Sequence, residues 1–354
     1  MSIKYNGGYI PAVGADGTTL VANSSASTGV SWAGPTFTAG KNKIINGDFG
    51  IWQRGTTGSS TTFGLFVGAD RFNYGTIGTA TTISQQTFTP GTAPVAGYES
   101  VYYSRTTCGA STTYIDIGQK IENVQTFAGQ TATVSFWAKS SASLVMTPSL
   151  YQNFGTSGST TVTTSGSNIT LTSSWVRYTV TFTVPSISGK TIGAGSNLGF
   201  YLTYVSGTLA TTTFDTWGWQ LEAGSVATPF TTATGTLSGE LAACQRYYYR
   251  TTSGSAYGFF AQGFVNNAST TNASVAMSLP VTMRVIPTAV DYSNTAVLDS
   301  SFSGSSCSLG IETTESTTNA VRLTAIGSGM TANRTVFVRA NNNTAAYVGF
   351  TSEL

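Results

Sequence analysis

Alternating apolar and polar positions recur along this chain and predict β-strands. In the run 176–184 every second residue is apolar, with Arg177 and three threonines between them, which is the period-2 pattern of a half-buried strand. Pro185 ends the run, because proline cannot donate to a sheet ladder. The run 198–204 repeats the pattern, and 131–138 is a further candidate. Short strands separated by Gly- and Ser-rich loops favour a β-sandwich or jelly roll.

One segment favours a helix instead. Ser238 can cap a helix that begins near residue 237 and runs to about Tyr248, and Glu240 suits the positive end of its dipole. Cys244 and Tyr248 then fall on one face of this short helix.

Further strands follow the helix. Apolar residues alternate again over 275–279, and the last two strands are predicted over 336–339 and 345–350. The segment 341–343 between them is Asn-Asn-Asn, a natural turn.

Composition supports an all-β, folded chain of 354 residues. Charged residues make up 8% of it, against about 25% in an average globular protein. Thr, Ser, Gly and Asn take their place, which favours strands and turns. Hydrophobic residues at 40% and aromatic residues at 12% suffice for a core. So little charge favours a surface partly hidden between subunits, and a monomer hydrated by Thr, Ser and Asn is the alternative.

Charge and hydropathy exclude several classes of partner. A net charge of +2 without a basic stripe makes nucleic acid an unexpected partner. No run reaches the roughly 18 apolar residues of a membrane span, so membrane insertion is not expected. Residues 1–8 lack the apolar stretch of a signal peptide, so synthesis in a cytoplasm is expected. The three cysteines show neither a disulfide framework nor zinc spacing.

Catalytic machinery is poorly represented, and no enzymatic activity is expected. The chain has no histidine, which excludes Ser-His-Asp, Cys-His and His-based metal chemistry. A glycosidase needs only two carboxylates about 5–10 Å apart. Asp116 with Glu122, and Glu312 with Glu315, are the pairs close in sequence. Acids of the surface or of turns are the alternative interpretation.

Four segments carry a family resemblance. They are 42–55 (NKIINGDFGIWQRG), 217–230 (WGWQLEAGSVATPF), 240–250 (ELAACQRYYYR) and the ending 329–354. Their order and spacing resemble bacteriophage tail fibres and related receptor-binding tail proteins, from about residue 41 onward.

The resemblance implies an organisation in four parts. Residues 1–40 would be an extended arm for attachment to the virion, 41–232 a jelly roll similar to carbohydrate-binding modules, 233–250 a linker with a short helix, and 251–354 a C-terminal β-sandwich-like tip domain. It also implies a structural protein of the virion tail, made in the host cytoplasm. Its expected partners are itself as a homotrimer, other tail or baseplate proteins, and a host-surface glycan. A head fibre or decoration protein is one alternative, and a polysaccharide depolymerase is a second.

Aromatic side chains are the candidates for sugar stacking, because sugars present an apolar face and hydroxyl edges. Within the predicted jelly roll these are Trp52, Trp137, Tyr102 and Tyr103. Core packing is the alternative for each of them.

The receptor site is predicted at the C-terminal tip, since a fibre attached by its N-terminal arm holds that end outermost. Exposed loops there carry the polar and aromatic residues suited to glycans. The candidates are Tyr257, Phe259, Asn341, Asn342 and Asn343.

No cofactor is required by this interpretation. The segment 46–49 (NGDF) resembles the opening strand of carbohydrate-binding jelly rolls, some of which hold a structural calcium. Asp48 and Asp215 are the carboxylate candidates for such an ion. The segment 217–219 (WGW) stands where those modules often carry acidic residues, which weighs against calcium here.

Overall fold

The computed structural model of this chain describes residues 4–5, 8–9, 19–22, 24, 29–33, 40–95, 98–204 and 207–354. Antiparallel strands dominate these ranges, together with a single short α-helix, which confirms the predicted all-β class. Two hairpins lie in the N-terminal stretch: β1 (Lys4–Tyr5) with β2 (Gly8–Tyr9), and β3 (Thr19–Ala22) with β4 (Val30–Ala33). Apart from residues 24, 29 and 40, the rest of the predicted arm lies outside the described residues. The division of the chain into four parts stays a prediction.

Two antiparallel sheets occupy the segment that was predicted to be a jelly roll. Their strands are β5 (Thr57–Ser60), β6 (Asn73–Ile77), β7 (Thr81–Thr87), β8 (Tyr102–Cys108), β9 (Tyr114–Glu122), β10 (Thr131–Ser140), β11 (Leu144–Asn153), β12 (Val162–Ser165), β13 (Ile169–Leu171), β14 (Val176–Thr183), β15 (Asn197–Tyr204) and β16 (Thr212–Ala223). Sheet I has the order β14-β10-β16-β8-β7-β5. Sheet II has the order β12-β11-β15-β9-β6, with β13 paired to β11.

The main core lies between the two sheets. Phe136 on β10 and Trp219 on β16 belong to sheet I, while Phe200 on β15 belongs to sheet II. The Phe200 ring lies 6.3 Å from the Phe136 ring and 5.2 Å from the Trp219 ring. All three side chains are fully buried, and burying one such ring contributes about 1.5–3 kcal/mol. The sheets therefore pack face to face, as predicted for a sandwich.

The strands predicted from alternation are confirmed. β14 ends at Thr183, two residues before Pro185. Val180 and Phe182 point into the core while Thr179 and Thr181 are exposed. The other two predicted runs correspond to β15 and β10.

A β-bulge interrupts the alternation on β16. Trp217 and Trp219 are two residues apart, so a regular strand would place them on one face. Instead Trp219 lies in the main core and Trp217 lies in a separate aromatic cluster. The register against β10 shifts between Ser135 and Trp137, and Gly218 has a φ of 69°. A left-handed glycine in a bulge reverses the faces of the residues after it, so sheet I carries large aromatic rings on both faces.

The predicted helix exists but is shorter and capped differently. α1 runs Leu237–Gln245, and its N-cap is Thr236, whose side chain accepts from the Gly239 N–H. The assignment of Ser238 as the cap was wrong, because the chain is still extended at Thr236 and already helical at Ser238. Tyr248 also lies outside the helix, because it starts a strand that pairs with the C-terminal strand. Among the described residues no helix is long and apolar enough to cross a membrane.

The C-terminal strands form two further sheets. They are β17 (Tyr248–Thr252), β18 (Phe259–Val265), β19 (Asn272–Ser278), β20 (Ala289–Ser293), β21 (Thr295–Asp299), β22 (Gly304–Ser306), β23 (Ser308–Ile311), β24 (Ala320–Ile326), β25 (Thr335–Ala340) and β26 (Tyr347–Thr351), with a 3-10 turn at Thr313–Glu315. Three of them form a small sheet of order β17-β26-β20. The other seven form a curled half-barrel of order β22-β21-β25-β18-β19-β24-β23.

The turn at Asn341–Asn343 connects these two sheets. Asn342 adopts a φ of 51°, a conformation that Asn tolerates better than most residues. β25 and β26, predicted as consecutive strands, belong to different sheets. Val338 from β25 and Phe350 from β26 nevertheless share one core, so the sheets pack on each other.

Charged and aromatic side chains join the sandwich to the C-terminal strands. Glu353 pairs with Arg71 and with Arg54, the latter at 3.2 Å. The guanidinium of Arg71 lies 3.4 Å from the centre of the Tyr247 ring, and that of Arg54 lies 3.6 Å from the Tyr248 ring. Cation–π contacts of this kind add to the ion pairs. This cluster fixes the C-terminal strands against the edge of the sandwich.

Candidate functional site

The outer face of sheet II, which points away from the core, carries a cleft. Ser149, Tyr201, Gly118 and Asn73 form one row across four neighbouring strands of this face. The cavity above them has a volume of about 300 Å³. It is lined by Phe63, Gly64, Asn73, Tyr114, Asp116, Lys120, Tyr151, Asn153, Thr161, Asn197 and Tyr201. We call it the sheet II cleft.

The floor of the sheet II cleft is the ring of Tyr201. A Cβ atom added to Gly118 would lie 2.3 Å from Tyr201 Cδ1, and one added to Gly199 would lie 2.7 Å from Tyr201 Cε2. One edge of the ring therefore lies over each glycine, which places the ring across the sheet rather than upright on it. Side chains at either position would displace it, so the two glycines make room for an aromatic platform.

Aromatic walls surround this platform. The Tyr151 ring lies 5.3 Å from the Tyr201 ring at an angle of 87°, so it stands perpendicular to the floor. On the other side, Phe63 and Tyr114 form a second edge-to-face pair at 5.0 Å. Edge-to-face contacts of this kind fix the rings in place.

Two side chains that line the cleft each carry a buried hydrogen-bond acceptor without a partner. Asn73 is 1% exposed, and its Nδ2 donates to the Tyr201 hydroxyl at 3.2 Å. Asp116 accepts at Oδ2 from the Tyr114 hydroxyl at 2.8 Å. Within the described chain, Asn73 Oδ1 and Asp116 Oδ1 are buried and have no hydrogen bond of normal geometry. Leaving such groups unsatisfied costs about 1–3 kcal/mol each, so they are suited to a ligand that donates hydrogen bonds.

Burial also shifts the pKa values of the ionisable side chains that line the cleft. It raises the pKa of Asp116, while the hydrogen bond from the Tyr114 hydroxyl and the nearby Gly75 N–H oppose it. It raises the pKa of Tyr201 to about 12, so this phenol is neutral at pH 7. Burial and then Arg71 lower the pKa of Lys120, whose Nζ donates to the Leu354 carbonyl at 2.8 Å. The lysine is thus already engaged outside the cleft.

Comparison with known proteins gives similarity at the level of structure. No protein-family model matches the chain, and a search of curated proteins gave no match. Solved structures to which it is distantly similar include the enzymatically active domain of bacteriophage CBA120 tailspike protein 4, with a TM-score of 0.35 and 14% identity. That similarity covers 52% of this chain and only 22% of the tailspike chain.

Carbohydrate-binding modules are also among the similar structures. The CBM22-1 xylan-binding domain from Paenibacillus barcinonensis has a TM-score of 0.29 and 14% identity, over 44% of this chain and 87% of the module. The family 11 module of a cellulosomal cellulase of Clostridium thermocellum has a TM-score of 0.29 and 12% identity, over 52% of this chain and 96% of the module.

The predicted sugar-stacking rings lie elsewhere. Trp137 and Tyr103 belong to a third hydrophobic cluster with Trp217 and Phe230, where they are 8% and 9% exposed. Their ring faces contact protein side chains more than solvent.

Trp52 and Tyr102 are partly exposed and lie apart from that cluster. Trp52 packs against the main core and donates from Nε1 to the Phe49 carbonyl at 2.7 Å, while Tyr102 begins β8. None of the four predicted rings lines the sheet II cleft, and their role in sugar binding stays a prediction.

The residues predicted at the tip are brought together in part. Tyr257 and Phe259 are 50% and 67% exposed. The Asn343 N–H donates to the Ala256 carbonyl at 3.1 Å, so the loop before Tyr257 meets the Asn341–Asn343 turn. The guanidinium of Arg339 lies 4.7 Å from the Tyr257 ring. Their role as receptor contacts stays a prediction.

The two calcium candidates have different partners. Asp215 accepts from Arg105 Nε at 2.6 Å and Nη2 at 2.8 Å, and Lys139 lies 3.6 Å away. Asp48 accepts from the Tyr98 hydroxyl at 3.2 Å. Across the described ranges, no three His, Cys, Asp or Glu side chains converge in a way that could hold a metal ion.

One of the two candidate carboxylate pairs does not have glycosidase spacing along its strand. Asp116 and Glu122 are six residues apart on β9, which separates their backbones by about 20 Å, against the 5–10 Å that paired carboxylates require. Glu122 is also held by Arg246 at 2.8 Å and by the Tyr247 hydroxyl at 2.6 Å. Glu315 pairs with Arg322 instead.

The sequence did contain a signal for the cleft. In the predicted strand 198–204 the apolar positions were assigned to the core, and the residues between them are Gly199, Tyr201 and Thr203. A small residue two positions before an aromatic one, on the solvent side of a strand, is what a flat-lying ring requires. The partner strands that complete the cleft could not be inferred from that pattern.

Proposed function

We propose that this chain is an adhesive subunit of a virion tail fibre and that the sheet II cleft binds a host-surface glycan. The observation that carries the proposal is the flat Tyr201 ring with the unsatisfied Asn73 Oδ1 beside it. A sugar ring offers an apolar face to the aromatic platform and a hydroxyl edge to the acceptor. Enclosure by Tyr151 and Phe63 would exclude water from both contacts.

The wider role rests on sequence features. The family resemblance supports attachment to the tail through the N-terminal arm, and the low charge supports an assembly of several chains. Phe259, Phe264 and Phe302, which are 67%, 56% and 68% exposed on the C-terminal strands and their loops, also support contact with another chain. A homotrimer would present three clefts on one particle, and such multivalency can raise avidity about 10²–10⁴-fold.

The assembly is tested by light scattering. We expect the mass of a trimer, three times 36.8 kDa, for the full-length chain at micromolar concentration. A monomer mass under these conditions would remove the homotrimer from the proposal and leave the cleft unaffected.

Glycan binding is tested by substitution of the platform. Tyr201→Ala should weaken binding of the best oligosaccharide from an immobilised glycan panel by about 30-fold, the effect of a central aromatic contact of about 2 kcal/mol. Gly199→Ala should weaken it about 2–10-fold, because the new Cβ tilts the ring. Isothermal titration calorimetry gives both affinities, and melting curves confirm that each variant folds.

Two control variants make this test specific. Gly310→Ala changes a strand glycine whose Cβ would meet nothing within 4 Å, and it should bind like the wild type. Phe259→Ala removes an exposed ring at the predicted tip. Loss of binding in Phe259→Ala, with Tyr201→Ala unaffected, would move the receptor site to the tip.

The two alternative functions have distinct signatures. A depolymerase would release reducing ends from host polysaccharide, whereas we expect none from this chain. A head fibre or decoration protein would place antibody label on the capsid of intact particles, whereas we expect the label on the tail.

A further inference from the structure

The buried unpaired side-chain atoms among the residues that line the sheet II cleft, Asn73 Oδ1 and Asp116 Oδ1, are both acceptors. Asn73 Oδ1 takes that role because the other end of the amide, Nδ2, donates to the Tyr201 hydroxyl. Asp116 Oδ2 is occupied by the Tyr114 hydroxyl, which leaves Oδ1 free of normal hydrogen bonds. A ligand that fills both sites must therefore supply hydrogen-bond donors.

The two acceptors are close enough to serve one sugar unit. Asn73 pairs with Gly118, and Asp116 pairs with Gly75, on the adjacent strands β6 and β9. This makes them diagonal neighbours on one face, with backbones about 7–8 Å apart. Tyr201 lies in the row of Asn73, so a sugar stacked on the ring has its hydroxyl edge toward both acceptors.

The one cationic side chain among the lining residues of the cleft, Lys120, donates a hydrogen bond to a group outside that lining. Asp116 and Lys120 are the only Asp, Glu, Lys or Arg side chains among its lining residues. The Lys120 ammonium is bound to the Leu354 carbonyl, and Arg71 and Glu353 are its charged neighbours there. A carboxylate or sulfate placed at the acceptors would offer them no hydrogen-bond donor and would lose its own hydration.

We infer that the sheet II cleft selects neutral glycans, whose hydroxyl groups donate to Asn73 Oδ1 and Asp116 Oδ1, over glycans that carry a carboxylate or sulfate at that edge. The inference rests on the proposed function and adds the class of ligand. Each unmade or repelled hydrogen bond is expected to weaken binding about 3–10-fold, so discrimination over both acceptors should exceed about tenfold.

The test uses pairs of oligosaccharides with the same linkage, one of neutral hexoses and one with a uronic acid in place of a hexose. For the wild-type chain, calorimetry should give at least tenfold tighter binding of the neutral member in the pairs that bind. Asp116→Asn replaces the carboxyl by an amide with little change of shape, so it should weaken neutral binding and reduce the discrimination. Asn73→Leu should weaken neutral binding about 3–10-fold.

The outcomes separate the two levels of the proposal. Equal or tighter binding of the acidic members, with binding still lost in Tyr201→Ala, overturns the neutral selectivity and leaves the glycan-binding function standing. Unchanged discrimination in a folded Asp116→Asn variant also overturns it. Failure of every oligosaccharide to bind the wild type overturns both. Melting curves of Asp116→Asn and Asn73→Leu distinguish lost contacts from lost fold.

Discussion

Replacing Glu353 by Ala is expected to lower the free energy of unfolding by about 3–5 kcal/mol, the range for breaking a buried ion pair by removing one partner. Arg71 is 1% exposed and Glu353 is 7% exposed. Without the carboxylate, the Arg71 guanidinium would keep its hydrogen bond to the Lys120 carbonyl at 2.7 Å and its contact with Tyr247. It would have no counter-ion for its buried charge, which is why the expected cost is large.

Urea unfolding at pH 7 measures this effect, and an exposed pair supplies the matched control. Glu315 and Arg322 are 52% and 36% exposed, so Glu315→Ala should cost at most about 1 kcal/mol. A similar small loss in both variants would show that the Glu353 contacts do not hold the C-terminal strands to the sandwich.

Asp70 is expected to make stability fall with rising pH. The carboxyl is 1% exposed, and burial raises its pKa from 3.8 to about 6, with Arg54 and hydrogen bonds from Gln53 opposing that rise. Between these values the folded chain binds more protons at Asp70 than the unfolded chain does. The stabilising contribution is therefore complete below about pH 4 and is lost as the pH rises through 6, a difference of about 3 kcal/mol.

The measurement compares wild type with Asp70→Asn at pH 4 and pH 7. Other carboxyl groups titrate in both proteins and cancel in the difference, as does any fixed cost of placing an amide beside Gln53. The wild type should lose about 2 kcal/mol of unfolding free energy relative to the variant across this interval, because the unfolded carboxyl is already partly ionised at pH 4. A difference that does not change with pH, or that changes in the opposite direction, would contradict the assignment.

Asp70 and Arg71 illustrate what a sequence pattern leaves undetermined. Alternation identified the strands that carry Val180, Phe200 and their neighbours, because burial on one face leaves a periodic signal. Asp70 and Arg71 lie in an irregular segment before β6, and the buried Arg71 pairs with Glu353, which is 282 residues away. No local pattern reports such a partner.

The site was harder to predict than the fold for the same reason. Asn73 and Tyr201 are 128 residues apart and meet because β9 lies between their strands. Trp137, a sugar-stacking candidate by its residue type, lies against Trp217 on sheet I, whereas the cleft lies on sheet II. The Gly218 bulge turns Trp217 to the face of sheet I that points away from the main core. The regular alternation of a strand would instead place Trp217 on the core face, together with Trp219.

The most direct test of the proposed function is a crystal structure of the chain with a bound neutral oligosaccharide. The account predicts a sugar ring within about 4 Å of the Tyr201 ring face, with hydroxyl groups in hydrogen-bonding distance of Asn73 Oδ1 and Asp116 Oδ1. A ligand bound instead at Phe259 and the Asn341–Asn343 turn, or against Trp137, with the sheet II cleft empty, would contradict it.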